Sequence, residues 1–173
     1  MADDAALIVD DRRSGSLVSN LGPRWQFVAD TVMGGVSRGA LATETHDGRV
    51  CLCLRGEVSL ENNGGFVQAA LDVSADGFLD ARDWSGIELD VSGNGETYNL
   101  HLRTADTAIV WQSYRAAFPT GPTWNRVRLP FDAFQPYRID RPLDRSRLRR
   151  LGLVAIGRAM AADLCVARVA LYR

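Results

Sequence analysis

Trp25-Gln-Phe-Val-Ala-Asp30-Thr-Val-Met33-Gly34-Gly35-Val-Ser37-Arg-Gly39 decides how the rest of this chain is read. A run of aromatic and branched residues ends at Asp30, two adjacent glycines break it, and a second strand-like run begins near Gly39. Glycine tolerates positive φ and lets another backbone or a ligand approach closely. Gly34 and Gly35, set between an aspartate and a serine, therefore form a tight corner or part of a pocket wall. Gly34 is expected to need both positive φ and close packing. A second glycine turn follows at Ser59-Leu-Glu61-Asn62-Asn63-Gly64-Gly65-Phe66. Asn-Gly tolerates positive φ at both residues and is a strong hairpin signal, so a hairpin is expected there.

Working outward, the apolar residues recur with strand periodicity. Ile87, Leu89 and Val91 alternate with Glu88 and Asp90; Tyr98, Leu100 and Leu102 alternate with Asn99, His101 and Arg103; Val127 and Leu129 alternate with Arg126 and Arg128. Residues two apart on a strand share a face. Asp47-Gly48 predicts a hairpin between two strands. A longer strand is expected over Ile109 to Phe118, and closing strands over Leu151 to Ile156 and Leu164 to Tyr172. The pattern predicts about ten short strands and no long helix, hence an all-β sandwich in which two sheets share one core. At 173 residues the chain is sized for one domain, 1–173, burying roughly 70% of its unfolded surface.

Hydrophobic residues at 46% and charged residues at 24% are globular values, and a net charge of −1 gives no global pull toward nucleic acid or an anionic membrane. No apolar run is long enough to span a membrane. Cys51, Cys53 and Cys165 form an odd set without a C-x-x-C pair. They are expected to be small buried hydrophobes in a reducing compartment, with neither a disulfide framework nor a zinc site. The acidic start at Asp3 and Asp4 does not suit a transit peptide. A bacterial cytoplasmic setting is expected. No phosphate loop, dinucleotide fingerprint, nucleophile elbow or H-E-x-x-H motif occurs, and no cofactor is expected.

The residues able to bind or react lie on the polar side of the alternations. Glu88, Asp90, Asn99, His101, Arg103, Arg126 and Arg128 are expected to share one face, joined by Gln68, Gln112 or Tyr114. Unpaired charge is costly to bury, so that face is wet, internally paired or occupied by a ligand. His101 is an acid–base candidate near neutral pH, or a solvated side chain. Asp30, Gly34, Gly35, Glu61 and Asn62 are either turn-forming residues or a binding site built on exposed amides beside a carboxylate. Trp111 and Tyr114 point to opposite faces unless a bulge intervenes, so at most one belongs to the polar platform. The arginines from Arg138 to Arg150 are either a solvated loop partly paired with Asp140 and Asp144 or a docking patch for an acidic protein surface or a phosphate.

The two glycine turns, followed by Gly95-Glu-Thr-Tyr98 and Trp124-Asn-Arg-Val-Arg-Leu-Pro130-Phe131-Asp-Ala-Phe134, resemble the complex I intermediate-associated protein 30 family over about Leu7 to Leu171. That resemblance implies a jelly-roll β-sandwich similar to galactose-binding and carbohydrate-binding domains. It also implies a non-catalytic assembly-factor role, since eukaryotic members assist assembly of respiratory complex I. A protein partner, such as a respiratory-complex subunit, is therefore expected. The alternatives are a polar, saccharide-like small molecule on the concave face, or an enzyme pairing Asp90 or Glu88 with His101. A flat face with an exposed apolar patch would favour the protein partner. An open groove lined by an aromatic would favour the small ligand, and a closed pocket joining His101 to a carboxylate would favour the enzyme.

Overall fold

The computed structural model describes residues 5–173; Asp3 and Asp4 lie outside them. Its strands are β1 (Ala6–Asp10), β2 (Gln26–Ala29), β3 (Arg38–His46), β4 (Arg49–Val58), β5 (Phe66–Asp72) and β6 (Gly86–Gly93), then β7 (Thr97–Thr104), β8 (Ser113–Pro119), β9 (Asn125–Pro130), β10 (Gln135–Tyr137), β11 (Leu148–Ile156) and β12 (Met160–Tyr172). One sheet runs β3-β4-β12-β6-β9, with β1 also on β12; the other runs β10-β8-β7-β11-β5-β2. All pairings are antiparallel. The long β12 pairs β4 with its first half and β1 with its second, while β6 runs along its other edge. The architecture is a jelly-roll β-sandwich, with more strands than the ten expected. No helix among the described residues is long and apolar enough to cross a membrane.

The alternations account for the core. Ile87, Leu89 and Val91 from one sheet are buried in the same cluster as Tyr98, Leu100 and Leu102 from the other. Their alternate neighbours are thereby sent to the outer faces. Asp47-Gly48 closes the β3–β4 hairpin with φ of 47° and 76°, next to the His46–Arg49 pair. The turn at Asn63-Gly64 is different. It carries the chain from β4 in one sheet to β5 in the other, so the expected hairpin is replaced by a crossover. Asn62 and Asn63 do take positive φ, 56° and 59°, but that freedom does not dictate which strands pair. Strand β8 starts at Ser113, not Ile109. Residues 109–112 form a turn closed by Gln112 N–H to Ile109 O (2.9 Å) and Ile109 N–H to Gln112 Oε1 (3.1 Å).

One buried polar knot was not visible in the sequence. Asp10 accepts from the Trp25 indole N–H at 2.6 Å and pairs with Arg12 at 2.9 Å. Arg12 in turn donates to Ser16 O. This knot fastens β1 to the entry of β2.

The cysteine expectation is overturned. Cys53 and Cys165 are opposite each other in the β4–β12 register and form a disulfide with a sequence separation of 112; Cys51 is free and buried. Strand pairing brings together cysteines too far apart in sequence to be matched by spacing. The three sulfurs lie within 4.8 Å of one another. With two of them bonded, only Cys51 keeps a thiol.

Closing so long a loop restricts the unfolded chain, by roughly 5 kcal/mol in the chain-entropy account. Reduction is therefore expected to lower unfolding free energy by up to about 5 kcal/mol, measured by denaturant melts with and without reductant. Alkylation of the denatured, unreduced protein should label Cys51 alone. Labelling of all three cysteines would contradict the bond.

Candidate functional site

The two glycine turns meet on one carboxylate. Asp30 is fully buried at the head of a short 3-10 turn, Asp30–Met33. Its Oδ2 accepts from Gly65 N–H (2.6 Å), Phe66 N–H (3.2 Å) and the Ser37 hydroxyl, and its Oδ1 accepts from Ser37 N–H (3.0 Å). The Ser37 hydroxyl oxygen accepts from Ser59 N–H at 2.9 Å. Burial pushes the Asp30 carboxyl up, but the donors from Ser37, Gly65 and Phe66 outweigh it and hold it below its ordinary value. Asp30 is thus a turn-joining residue with its lone pairs occupied.

The close packing expected at Gly34 belongs to its neighbour. A Cβ on Gly35 would lie 2.4 Å from Asp30 Cγ, and one on Gly64 would lie 2.6 Å from Asp30 Oδ2. Gly34 has open space around it and needs glycine only for its φ of 88°. Gly34→Ala should cost about 1 kcal/mol. Gly35→Ala should cost about 3 kcal/mol or more, because it displaces a carboxylate that satisfies buried donors. Thermal melts of the two variants check this ordering; equal melting points would contradict it.

Beside this junction the outer face of the second sheet forms an open cleft of about 570 Å³. Its floor comes from Gln68 on β5, Gly152 and Val154 on β11, His101 and Arg103 on β7, and Ser113 and Arg115 on β8. Register makes these residues neighbours: Gly152 pairs with His101, His101 with Arg115, and Arg150 with Arg103. A Cβ at Gly152 would meet Gln68 Oε1 at 2.1 Å, so the glycine leaves room for that amide over the floor. Val32, Met33 and Asn63 to Gly65 bound one end, and Val110 and Trp111 the other. Trp111 is 53% exposed. Tyr137 completes the lining, with the Arg115 guanidinium 3.6 Å from its ring centroid.

Two polar atoms of this floor are buried without a partner among the described residues, His101 Nε2 and Arg103 Nε. Arg103 Nη2 donates to Thr107 O (2.9 Å) and Ile109 O (3.2 Å), so Arg103 also holds the loop that carries Trp111. His101 is not solvated; it is 8% exposed. Burial, then Arg115, pulls its pKa down from 6.5 to about 3. It is therefore neutral across physiological pH and does not gain a proton near 7.

The expectation of a single polar face is corrected. Glu88 and Asp90 lie in β6 and Arg126 and Arg128 in β9, in the first sheet, while Asn99, His101 and Arg103 lie in β7 of the second. On the first sheet Glu88 accepts from Arg128 Nε (2.8 Å) and from Arg168, and Asp90 from Arg126 Nε (2.7 Å) and Arg49 Nη2 (2.9 Å). Burial raises both carboxyls, but these arginines more than reverse it and leave them below their ordinary values. This face is an internally paired charge ladder. Neither acid can partner His101 across the sandwich.

The remaining candidates separate as follows. Asn99 shares the outward side of β7 with His101 but does not line the cleft. Tyr114 faces the interior, fully buried, with its hydroxyl donating to Arg141 O at 2.8 Å; Trp111 is the member of that pair on the cleft side. Glu61 and Asn62 are exposed beside the cleft-lining Asn63. The arginine loop is largely consumed: Arg141 and Arg147 reach Asp106, and Arg150 reaches Asp72. Arg115, Tyr137 and Gly152 escaped the sequence analysis. Only the alternation of Ser113 and Arg115 with buried Tyr114 and Ala116 could have signalled the first.

A pH dependence follows from His101. Its folded pKa is depressed below the unfolded 6.5, so between about 6.5 and 3 the unfolded state binds the proton and the folded state does not. Stability should fall with decreasing pH over that range, by up to about 1.4 kcal/mol per pH unit from this group. The depressed carboxyls of Asp30, Glu88 and Asp90 should add to the loss as pH drops below about 4. Denaturant melts from pH 7 to 4 on wild type and His101→Gln test the first part. The variant should lose most of the slope above pH 4.5, and an unchanged slope would contradict the buried neutral histidine.

No curated protein matches the chain in sequence. Among solved structures it is similar to the family 11 carbohydrate-binding module of the cellulosomal cellulase Lic26A-Cel5E of Clostridium thermocellum, at TM-score 0.75 and 13% identity, covering 99% of this chain and 96% of that one. A family 11 module from Clostridium thermocellum in complex with a β-1,3-1,4-mixed-linked tetrasaccharide matches at TM-score 0.72 and 11% identity, over 99% and 97%. The family 30 module of the Clostridium thermocellum cellulase Cel9D-Cel44B matches at TM-score 0.59 and 15% identity, over 98% and 94%. At such identities these likenesses establish the fold. The sequence model of complex I intermediate-associated protein 30 matches residues 18–165, and the chain belongs to that family.

Proposed function

We propose that residues 1–173 form one non-catalytic binding domain whose working surface is the cleft on the second sheet. We further propose that its occupant is a polar, ring-bearing small molecule of saccharide type. The observation that carries this reading is the exposed Trp111 at the rim of a floor where His101 Nε2 and Arg103 Nε lack partners. A flat aromatic face receives the apolar side of a sugar ring, and unpartnered buried polar atoms are costly unless something meets them. An open groove with an aromatic is also the arrangement that favours a ligand over a catalytic pocket. Among the described residues no carboxylate lines the cleft, and His101 titrates far from neutrality. The complex with a tetrasaccharide formed by a similarly folded module supports the same reading.

A second reading has its own support. Family membership points to an assembly factor holding a protein partner, such as a respiratory-complex subunit. Val32, Met33, Val110 and Trp111 are exposed and apolar around the cleft mouth, a surface suited to a protein contact. As to compartment, the cytoplasmic setting expected from the sequence rested in part on unpaired cysteines. The Cys53–Cys165 bond favours an oxidising one.

Titration calorimetry against a panel of neutral and acidic oligosaccharides tests the first reading. Trp111→Ala should weaken binding about tenfold without changing the melting point. Arg103→Ala should weaken it by freeing the Trp111 loop, again with the fold retained. Absence of binding across the panel, with capture of a protein partner through the same residues, would transfer the cleft to the second reading.

A further inference from the structure

The cleft's charge is one-sided. Arg103 and Arg115 stand on its floor and Arg150 at its edge, and among the described residues no aspartate or glutamate lines it. Arg150 is answered by Asp72 at 2.8 Å, but Arg103 and Arg115 meet only neutral groups. Arg103 donates to backbone carbonyls. Arg115 gives its Nε–H to Ser113 Oγ at 2.9 Å, and its guanidinium carbon lies 3.6 Å from the Tyr137 ring centroid. Those two contacts pin the Arg115 guanidinium plane and leave its two terminal nitrogens as an open fork. A pinned, planar fork is pre-organised for the two oxygens of a carboxylate. Burial pushes both arginines below their ordinary pKa; Arg149 and Arg150 add to this at Arg103, while at Arg115 Tyr137 opposes it and Arg138 adds to it. Like charges are thus held close together in a partly desolvated place, an arrangement that an incoming anion relieves. A second depression of about 410 Å³, lined by Arg149, Asp72 and Asp76, adjoins the cleft at Arg103 and Arg150.

We infer that the cleft is selective for an acidic saccharide, with the carboxylate of a uronic-acid unit on the Arg115 fork beside His101 and its ring reaching toward Trp111. This inference rests on the saccharide reading of the cleft and adds the charge class of the ligand. A neutral sugar would leave Arg103 and Arg115 without a counter-charge. A carboxylate bound there also sits one register step from the unpartnered His101 Nε2.

The test is titration calorimetry on the full chain with tetrasaccharides of glucuronate, galacturonate and mannuronate. The neutral counterparts of each, the mixed-linked glucose tetrasaccharide and a sulfated glucose tetrasaccharide are run alongside. The expected result is that at least one uronate binds more tightly than its neutral counterpart by on the order of tenfold or more. The preference should shrink as NaCl rises from about 20 to about 300 mM. Arg115→Gln should remove it and Arg115→Lys should retain part of it, both variants keeping the wild-type melting point. If neutral sugars bind as well as the acids, the inference is overturned while the saccharide reading stands. Preference for the sulfated sugar overturns the carboxylate assignment. If no sugar of either class binds, the saccharide reading falls and the inference with it.

Discussion

The Asp30 carboxylate is the interaction on which the arrangement of this sandwich depends. It belongs to the turn after β2, yet most of its donors come from Ser37 before β3 and from Gly65 and Phe66 at the start of β5. The turn from β2 leads toward the first sheet, and the turn from β4 leads back to the second. One buried anion thereby ties both crossings at the same end of the sandwich. The glycines are consequences of it: Gly35 and Gly64 are small because the carboxylate fills the space a Cβ would take. Val32, Met33 and Asn63 to Gly65, which wall one end of the cleft, are held in place by the same carboxylate.

The two outer faces use charge in opposite ways. On the first sheet Glu88 and Asp90 are 2% and 3% exposed, and arginines from β4, β9 and β12 saturate them. Breaking such a set by removing one partner is expensive, but the intact set has nothing left to offer a ligand. On the second sheet Arg103 and Arg115 have no carboxylate partner among the described residues, the histidine is neutral and Trp111 is exposed. Glu88 and Asp90 are kept from His101 by the thickness of the sandwich between the two sheets, whereas binding needs only the groups already gathered on the one face.

Strand identity and the sandwich class were legible because alternation in β6, β7 and β9 is regular and Asp47-Gly48 is an unambiguous hairpin. Sheet membership was not. Glu88, Asp90, His101 and Arg103 all occupy the polar phase of their strands, and alternation records which side of a strand faces the core without recording which sheet carries it. The prominence of Gly34-Gly35 and Asn63-Gly64 was visible in the sequence, but their dependence on Asp30 appears only once both turns are folded. Trp111 read as a strand residue because its neighbours are apolar; its exposure comes from the Ile109–Gln112 turn, a local hydrogen-bonding choice. The disulfide was hidden by the distance in sequence between Cys53 and Cys165, which strand pairing alone removes.

The second-sheet cleft is the proposed place at which this domain engages a ligand. The direct measurement is a nitrogen-edited proton spectrum following the four tryptophan indole signals during titration with the acidic and neutral tetrasaccharides. The indole of Trp111 should shift in a saturable way while those of buried Trp25 and of Trp124, which donates to His46 O on the first sheet, stay in place. Shifts centred on Trp124 or Trp84, or no shift at Trp111 under saturating ligand, would contradict it.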